Sequence, residues 1–548
     1  MPLPLASRLV RFSVPVLLAL GSAACSRAPK VDRPSPATAP AIGMERTDAS
    51  APPAVSFERQ AAGSSFRLVF HAAPLANLVY QLDCMAGRHP CSRAAFESLW
   101  RNDLGWNDED EAALADWREL RARFQGVEAR GPGATPAPPL PLPRTDRAAS
   151  TRLAVAGLVA RTPQEHIAQL GRITSPADAR RVQAIADHFR PRFDAYWARE
   201  GRALCERSAE ELASLFARED LTAYIERAAR FYEANLPEGT VLDFHLMARP
   251  PHRSINAAHQ LGSHAVVEVL EGEPAKDRAP VVVHELFHHL FAAAPDERLA
   301  ALQRAFLDSN DPVAIPSHAL LDEALATALG TAEVSRKLDP THYASLFAQP
   351  GGLYAEETID RVAKALEPFV EARLAEGGTL HGPGFVEGYL AAVRAAYPAG
   401  LPPIAHVRPL VAALEPAFWG AFEALDGISM ASSLGGAAAS DRLDAPETMD
   451  MLASHRMWGA AFFVTPASLH RLARFTETLG DATLQAAAAE VRRGQPFVYA
   501  VQRSPGVYRF VFVAKDTATM GRLVRALSQQ KTPFEGSMAL VERPAVKP

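Results

Sequence analysis

Residues 281–291 read Val281-Val282-Val283-His284-Glu285-Leu286-Phe287-His288-His289-Leu290-Phe291, an HExxH pattern inside an apolar run. At 3.6 residues per turn, positions four apart share a helix face, so His284 and His288 can grip one metal ion. Glu285 is turned about 100° from His284 and can face a water on that metal. Val283, Leu286, Phe287, Leu290 and Phe291 fall at i, i+3, i+4, i+7 and i+8, the stripe that buries such a helix and holds it rigid. The expected helix runs from Pro280 to about Ala294 and stops before Pro295. His289 is turned about 100° from His288 and is not expected to join it as a ligand.

Two imidazoles do not complete a metal site, so a third ligand must come from elsewhere in the chain. Ser317 to Thr327 (SHALLDEALAT) reads as a later helix with Ser317 as its cap. Its Glu323 lies 35 residues after His288, in apolar surroundings where an unpaired carboxylate is costly. Asp322 and His318 are reserve ligands. A metzincin pattern would need Gly three and His six residues after His288; Phe291 and Ala294 stand there and exclude it.

On these residues the stretch from about 236 to 400 resembles the gluzincin group of zinc metallopeptidases, the HExxH-plus-glutamate enzymes. The resemblance implies a zincin-like core with one Zn2+ per chain on His284, His288 and Glu323, and a peptide or protein as substrate. It implies that Glu285 is the general base, taking a proton from the attacking water and returning it to the leaving amine. Thr327 occupies the position where thermolysin-like members carry an aspartate that orients a ligand histidine. Tyr389, His381, Tyr354 and Tyr343 are the candidate oxyanion donors. The strand from His264 to Leu270 has two open readings, aligning an extended substrate by edge pairing as gluzincins do or serving a purely structural role, with His264 as a strand-end residue. Two other readings stay open: a non-catalytic envelope lipoprotein with a structural or vestigial zinc site, and a metal-dependent amidase.

Outward from the motif, the expected fold class is α+β, mostly helical. Residues 56–235 read as a helical N-terminal region, with helix starts at Asn107-Asp108, Thr162-Pro163 and Ser175-Pro176 and a Pro-rich loop at 131–150. Residues 236–426 hold the metallopeptidase domain, opened by strands at 240–247 and 264–270. A Gly/Ala/Ser-rich linker is expected at 427–450, followed by a small α/β domain at 451–548. Strands near 457–464, 497–502, 507–514 and 538–542, with intervening helices, suggest a ferredoxin-like layer.

The first 24 residues read as an export signal: Arg8 and Arg11, then a nine-residue apolar run from Phe12 to Leu20, too short to span a bilayer. Gly21-Ser22-Ala23-Ala24-Cys25 resembles the lipobox of bacterial lipoproteins, which implies acylation at Cys25, a tether at 25–55 and an envelope location. Membrane contact is then expected only through that anchor. Export favours a local disulfide between Cys84 and Cys91, while Cys205 is expected to be buried and free. The 57 Lys plus Arg against 62 Asp plus Glu leave a charge of −5, with no basic excess to neutralise a nucleic-acid backbone.

Overall fold

The computed structural model describes residues 57–62, 66–87, 91–122, 149–251, 257–407, 410–429, 438–454 and 459–540. The expected signal segment 1–24, the tether 25–55 with Cys25, and residues 131–148 of the Pro-rich loop lie outside them. The described chain is mostly helical with two mixed sheets, an α+β composition. None of its helices is long and apolar enough to cross a membrane.

The first sheet has five strands: β1 (Phe57–Ala62), β2 (Phe66–Ala72), β3 (Thr240–Ala248), β4 (Ala258–Leu261) and β5 (His264–Val269). Their order is β1-β2-β3-β5-β4, with β2, β3 and β5 parallel and the two edge strands antiparallel to their neighbours. Alternation buries one face. Phe70 and Phe244 are register partners with ring centroids 5.5 Å apart, and Phe70 meets Phe216 of the helix Arg202–Arg218 edge-on at 5.6 Å. That helix packs in turn on the HExxH helix.

The region 56–235 is therefore not a purely helical unit beside the HExxH-bearing one. Its β1 and β2 extend the sheet of β3–β5, and one hydrophobic core runs from Phe66 to Ala405. The apolar run at 66–72 pairs with β1 nearby but gains its second partner, β3, only about 170 residues later, a pairing that local pattern does not reveal.

The second sheet has six strands: β6 (Leu410–Leu414), β7 (Ala438–Ser440), β8 (Gly459–Val464), β9 (Phe497–Ser504), β10 (Val507–Val513) and β11 (Gly536–Ala539). Their order is β11-β9-β10-β8-β6-β7, with β7, β6, β8 and β10 parallel. Helices cover both faces, so side chains alternate between two apolar layers. Ala412, Phe463 and Phe512 face the helices Trp419–Ser429 and Thr517–Ser528; Val411, Phe462 and Val511 face Leu452, Leu472 and Phe475.

This arrangement is not a ferredoxin-like layer. β8 to β11 follow the expected succession, but β11 pairs with β9, and the place beside β8 is taken by β6. The unit also starts before residue 427: β7 and the helices Trp419–Ser429 and Pro446–Ser454 occupy the expected linker. Five- and three-residue strands rich in alanine (LVAAL, AAS) carry too little pattern to be told from loop. The β9–β10 turn docks on the body that carries the HExxH helix: a Cβ on Gly506, whose φ is +74°, would lie 2.7 Å from the Pro312 carbonyl oxygen and 3.1 Å from Pro316.

Candidate metal centre

The HExxH segment lies on the helix Ala275–Ala292. It begins five residues earlier than expected, and Pro280 sits inside it. Proline there forfeits the bond to the carbonyl of residue 276, which lies in the exposed first turn where water can take its place. From Val282 to Phe291 the helix is buried except for half-buried His289.

Glu323 comes from the helix Ala314–Leu325, which continues as a widened π-helical stretch, Ala326–Ala332, and then as Glu333–Leu338. The π-helical stretch packs directly against the HExxH helix. Gly330 makes that approach possible, since a Cβ there would lie 2.7 Å from His284 Cα and 2.8 Å from its nitrogen. Only a residue without a side chain lets the two backbones come this close.

Three ligand atoms converge between these helices. His284 Nε2 and His288 Nε2 are 3.1 Å apart, and Glu323 Oε2 lies 3.4 Å from the first and 3.5 Å from the second. Atoms bound tetrahedrally to zinc at 2.0–2.1 Å are separated by about 3.3 Å. The other ring nitrogens are held from behind: His284 Nδ1 lies 3.1 Å from Thr331 Oγ1, and His288 Nδ1 lies 3.0 Å from Asp322 Oδ1. With the ring protons on Nδ1, both Nε2 lone pairs and a carboxylate oxygen face one point. That is repulsive unless a cation or a proton sits there, so the donor set suits a divalent metal.

The electrostatics carry the same signature. Burial alone would lower His288 and raise Glu323, yet the two groups hold each other charged. Asp322 and then Glu323 push His288 well above the ordinary imidazole value, and His288 with His284 drives Glu323 far below the usual carboxylate range. Glu285, 6% exposed, is raised by burial, with the two imidazoles opposing.

The remaining expected site residues fall as follows. Thr327 is fully buried, and its hydroxyl has no hydrogen-bond partner, so it does not orient a ligand. The widened turns bring Thr331 to His284 instead, and Asp322, expected as a reserve ligand, takes the orienting place on His288. Tyr389 is buried and donates to the Ser317 carbonyl at 2.9 Å, which fixes the ligand helix rather than a substrate. His381 lies near Glu233 and Arg298. Tyr343 donates to Glu367. Tyr354 stacks on His284 with centroids 5.7 Å apart, the only one of the four expected donors with a described contact to a ligand. His318 packs edge-on against Phe306, and burial lowers it to about 4. His289 points to the sheet, with Nδ1 3.1 Å from the Gly262 carbonyl oxygen.

β5 has no free edge, because β3 and β4 flank it; the outermost strand of the sheet on this side is β4, whose residues are half-buried. β4 packs against the HExxH helix, so any strand pairing with substrate falls to Ala258–Leu261.

Two further clusters were not read from the sequence. His71, Asp243, His245 and His264 share one face of β2, β3 and β5: His71 Nε2 is 2.6 Å from Asp243 Oδ1, and His245 Nε2 is 3.1 Å from His264 Nδ1. Strand periodicity at 243 and 245 was the available signal. Glu333, Glu367 and Glu371 also gather their oxygens, but Arg336 pairs with the outer two and Tyr343 donates to Glu367, which accounts for them. Cys84 and Cys91 form a disulfide, and Cys205 is buried and free.

No protein-family model, curated protein or solved structure matches this chain.

Proposed function

We propose that this protein is an exported zinc-dependent peptidase of the HExxH-plus-glutamate kind, anchored to the cell envelope by a lipid on Cys25. The observation that carries the reading is the triangle of His284, His288 and Glu323 ligand atoms, with sides of 3.1, 3.4 and 3.5 Å. When bound, zinc would polarise the scissile carbonyl and bring the pKa of its water near 7.

The chain's own residues do the rest. Thr331 and Asp322 hold the two imidazoles in the orientation that presents Nε2. Glu285, buried beside the two imidazoles, accepts the proton of the attacking water and delivers it to the departing amine. Tyr354 beside His284 serves as the oxyanion donor. The β4 edge pairs with the backbone of an extended substrate.

The test is peptide-library hydrolysis with elemental analysis. The wild type should carry one zinc per chain and lose turnover to chelator, and Glu323→Ala should lose the metal. Glu285→Gln should keep its zinc and lose at least about 100-fold in kcat. Turnover that survives both chelation and Glu285→Gln refutes the assignment.

A further inference from the structure

Glu268 is a carboxylate with no exposure, set in the interior strand β5. A charge in such a place is tolerated only when its lone pairs are filled. Here three separate segments fill them. Oε1 accepts from the Tyr80 hydroxyl and the Ser92 amide, each at 2.9 Å. Oε2 accepts from the Ala257 amide at 3.0 Å and from the Ser92 hydroxyl. The Glu268 amide also donates to the Ala257 carbonyl at 3.0 Å.

Each segment leads to the substrate edge. Ala257 is the residue before β4. Tyr80, on the helix Pro74–Met85, stacks on His259 of β4 with centroids 6.0 Å apart. Ser92 directly follows Cys91, which the disulfide ties to Cys84 of that same helix. One carboxylate thus joins the sheet, the crosslinked loop and the head of the edge strand. Glu268 touches none of the ligand residues by any described contact, so its influence on a reaction must pass through β4.

We propose that Glu268 is a positioning residue for substrate: it fixes β4 in the register at which an extended peptide can pair with the sheet edge beside the metal centre. The proposal rests on the peptidase reading. It explains why a buried acid occupies a strand whose other inward positions suit aliphatic residues, and why four donors converge on it.

The test compares wild type with Glu268→Gln and Tyr80→Phe. An amide conserves volume but sets an NH2 group against one of the two backbone N–H donors, whichever way it turns. Glu268→Gln should raise KM for peptide about tenfold, with kcat and zinc content near wild type, and should speed amide exchange across 257–261 about tenfold. Tyr80→Phe removes one of the four donors and keeps the ring on His259, so the same changes should follow at smaller size. Should Glu268→Gln fail to fold, Tyr80→Phe alone decides the matter. Unaltered exchange at 257–261, or a fall in kcat with KM unmoved, overturns the proposal. A wild type that binds zinc but cleaves no peptide defeats the peptidase reading instead, and the exchange measurement still decides whether Glu268 holds the strand.

Discussion

Gly330→Ala is the sharpest perturbation of the metal centre, because it adds one carbon where the two ligand-bearing helices meet. That carbon would sit 2.7 Å from His284 Cα, whereas ordinary contact begins at 3.4 Å, so the helices must part by roughly 0.7 Å. Metal–ligand distances tolerate about 0.2 Å. His284 would be displaced relative to Glu323 and pulled from Thr331 by more than zinc can follow. Overpacking of this kind costs about 1–3 kcal/mol, while alanine's better helix propensity offsets about 1. The expected result is a drop in thermal midpoint of the apo protein and a tenfold to hundredfold loss of zinc affinity, read by competition with a chromophoric chelator. Gly420→Ala is the control, since a Cβ there meets nothing within 4 Å. Wild-type zinc affinity and an unmoved midpoint in Gly330→Ala would show that the close approach of the two helices does not govern the site.

Other consequences follow from the same geometry. Asp322→Asn should weaken zinc binding about 10- to 100-fold, whereas Thr327→Val should leave it unchanged; equal losses in both would contradict the assignment of the orienting role. Glu285→Gln should retain one metal per chain by elemental analysis while losing peptide turnover. His406 is lowered to about 4 by burial, so the folded chain binds its proton less readily than the unfolded chain, where imidazole titrates near 6.5. Stability should therefore be flat above pH 6.5 and fall as pH drops toward 4, by about 2 kcal/mol from this residue at pH 4.5. Urea midpoints at pH 7 and 4.5 should converge in His406→Gln, and an unchanged acid sensitivity would assign the effect to other groups.

The HExxH helix was legible because its apolar stripe and its paired histidines obey the same 3.6-residue period, and Glu323 because the Asp322-Glu323 pair interrupts an otherwise aliphatic helix. What orients these ligands was not legible. A regular helix would carry the position four after Glu323 to the site, and Thr327 is there; the widened turns shift the register so that Thr331 arrives instead. Gly330 read as a helix weakener, and its purpose exists only across the gap to His284. The pairing of β2 with β3 and of β6 with β8 depends on contacts distant in sequence, so the fold of the two flanking regions differed most from its expected form. Of the two readings of His264–Val269, the structure favours the purely structural one: its strong strand pattern marks a strand buried between neighbours rather than one left open.

The seat of the β9–β10 turn on Pro312 and Pro316 bears on how this chain can be shortened. Pro312 just precedes the helix that ends at Leu325, and Pro316 sits in its first turn, two turns before Glu323. A fragment cut before Leu410 would strip that brace and bare buried Pro316 to solvent, freeing the front of the helix to fray while His284, His288 and Glu323 all remained in the chain. Weak zinc retention in such a truncation would report a missing buttress, not an absent set of ligands.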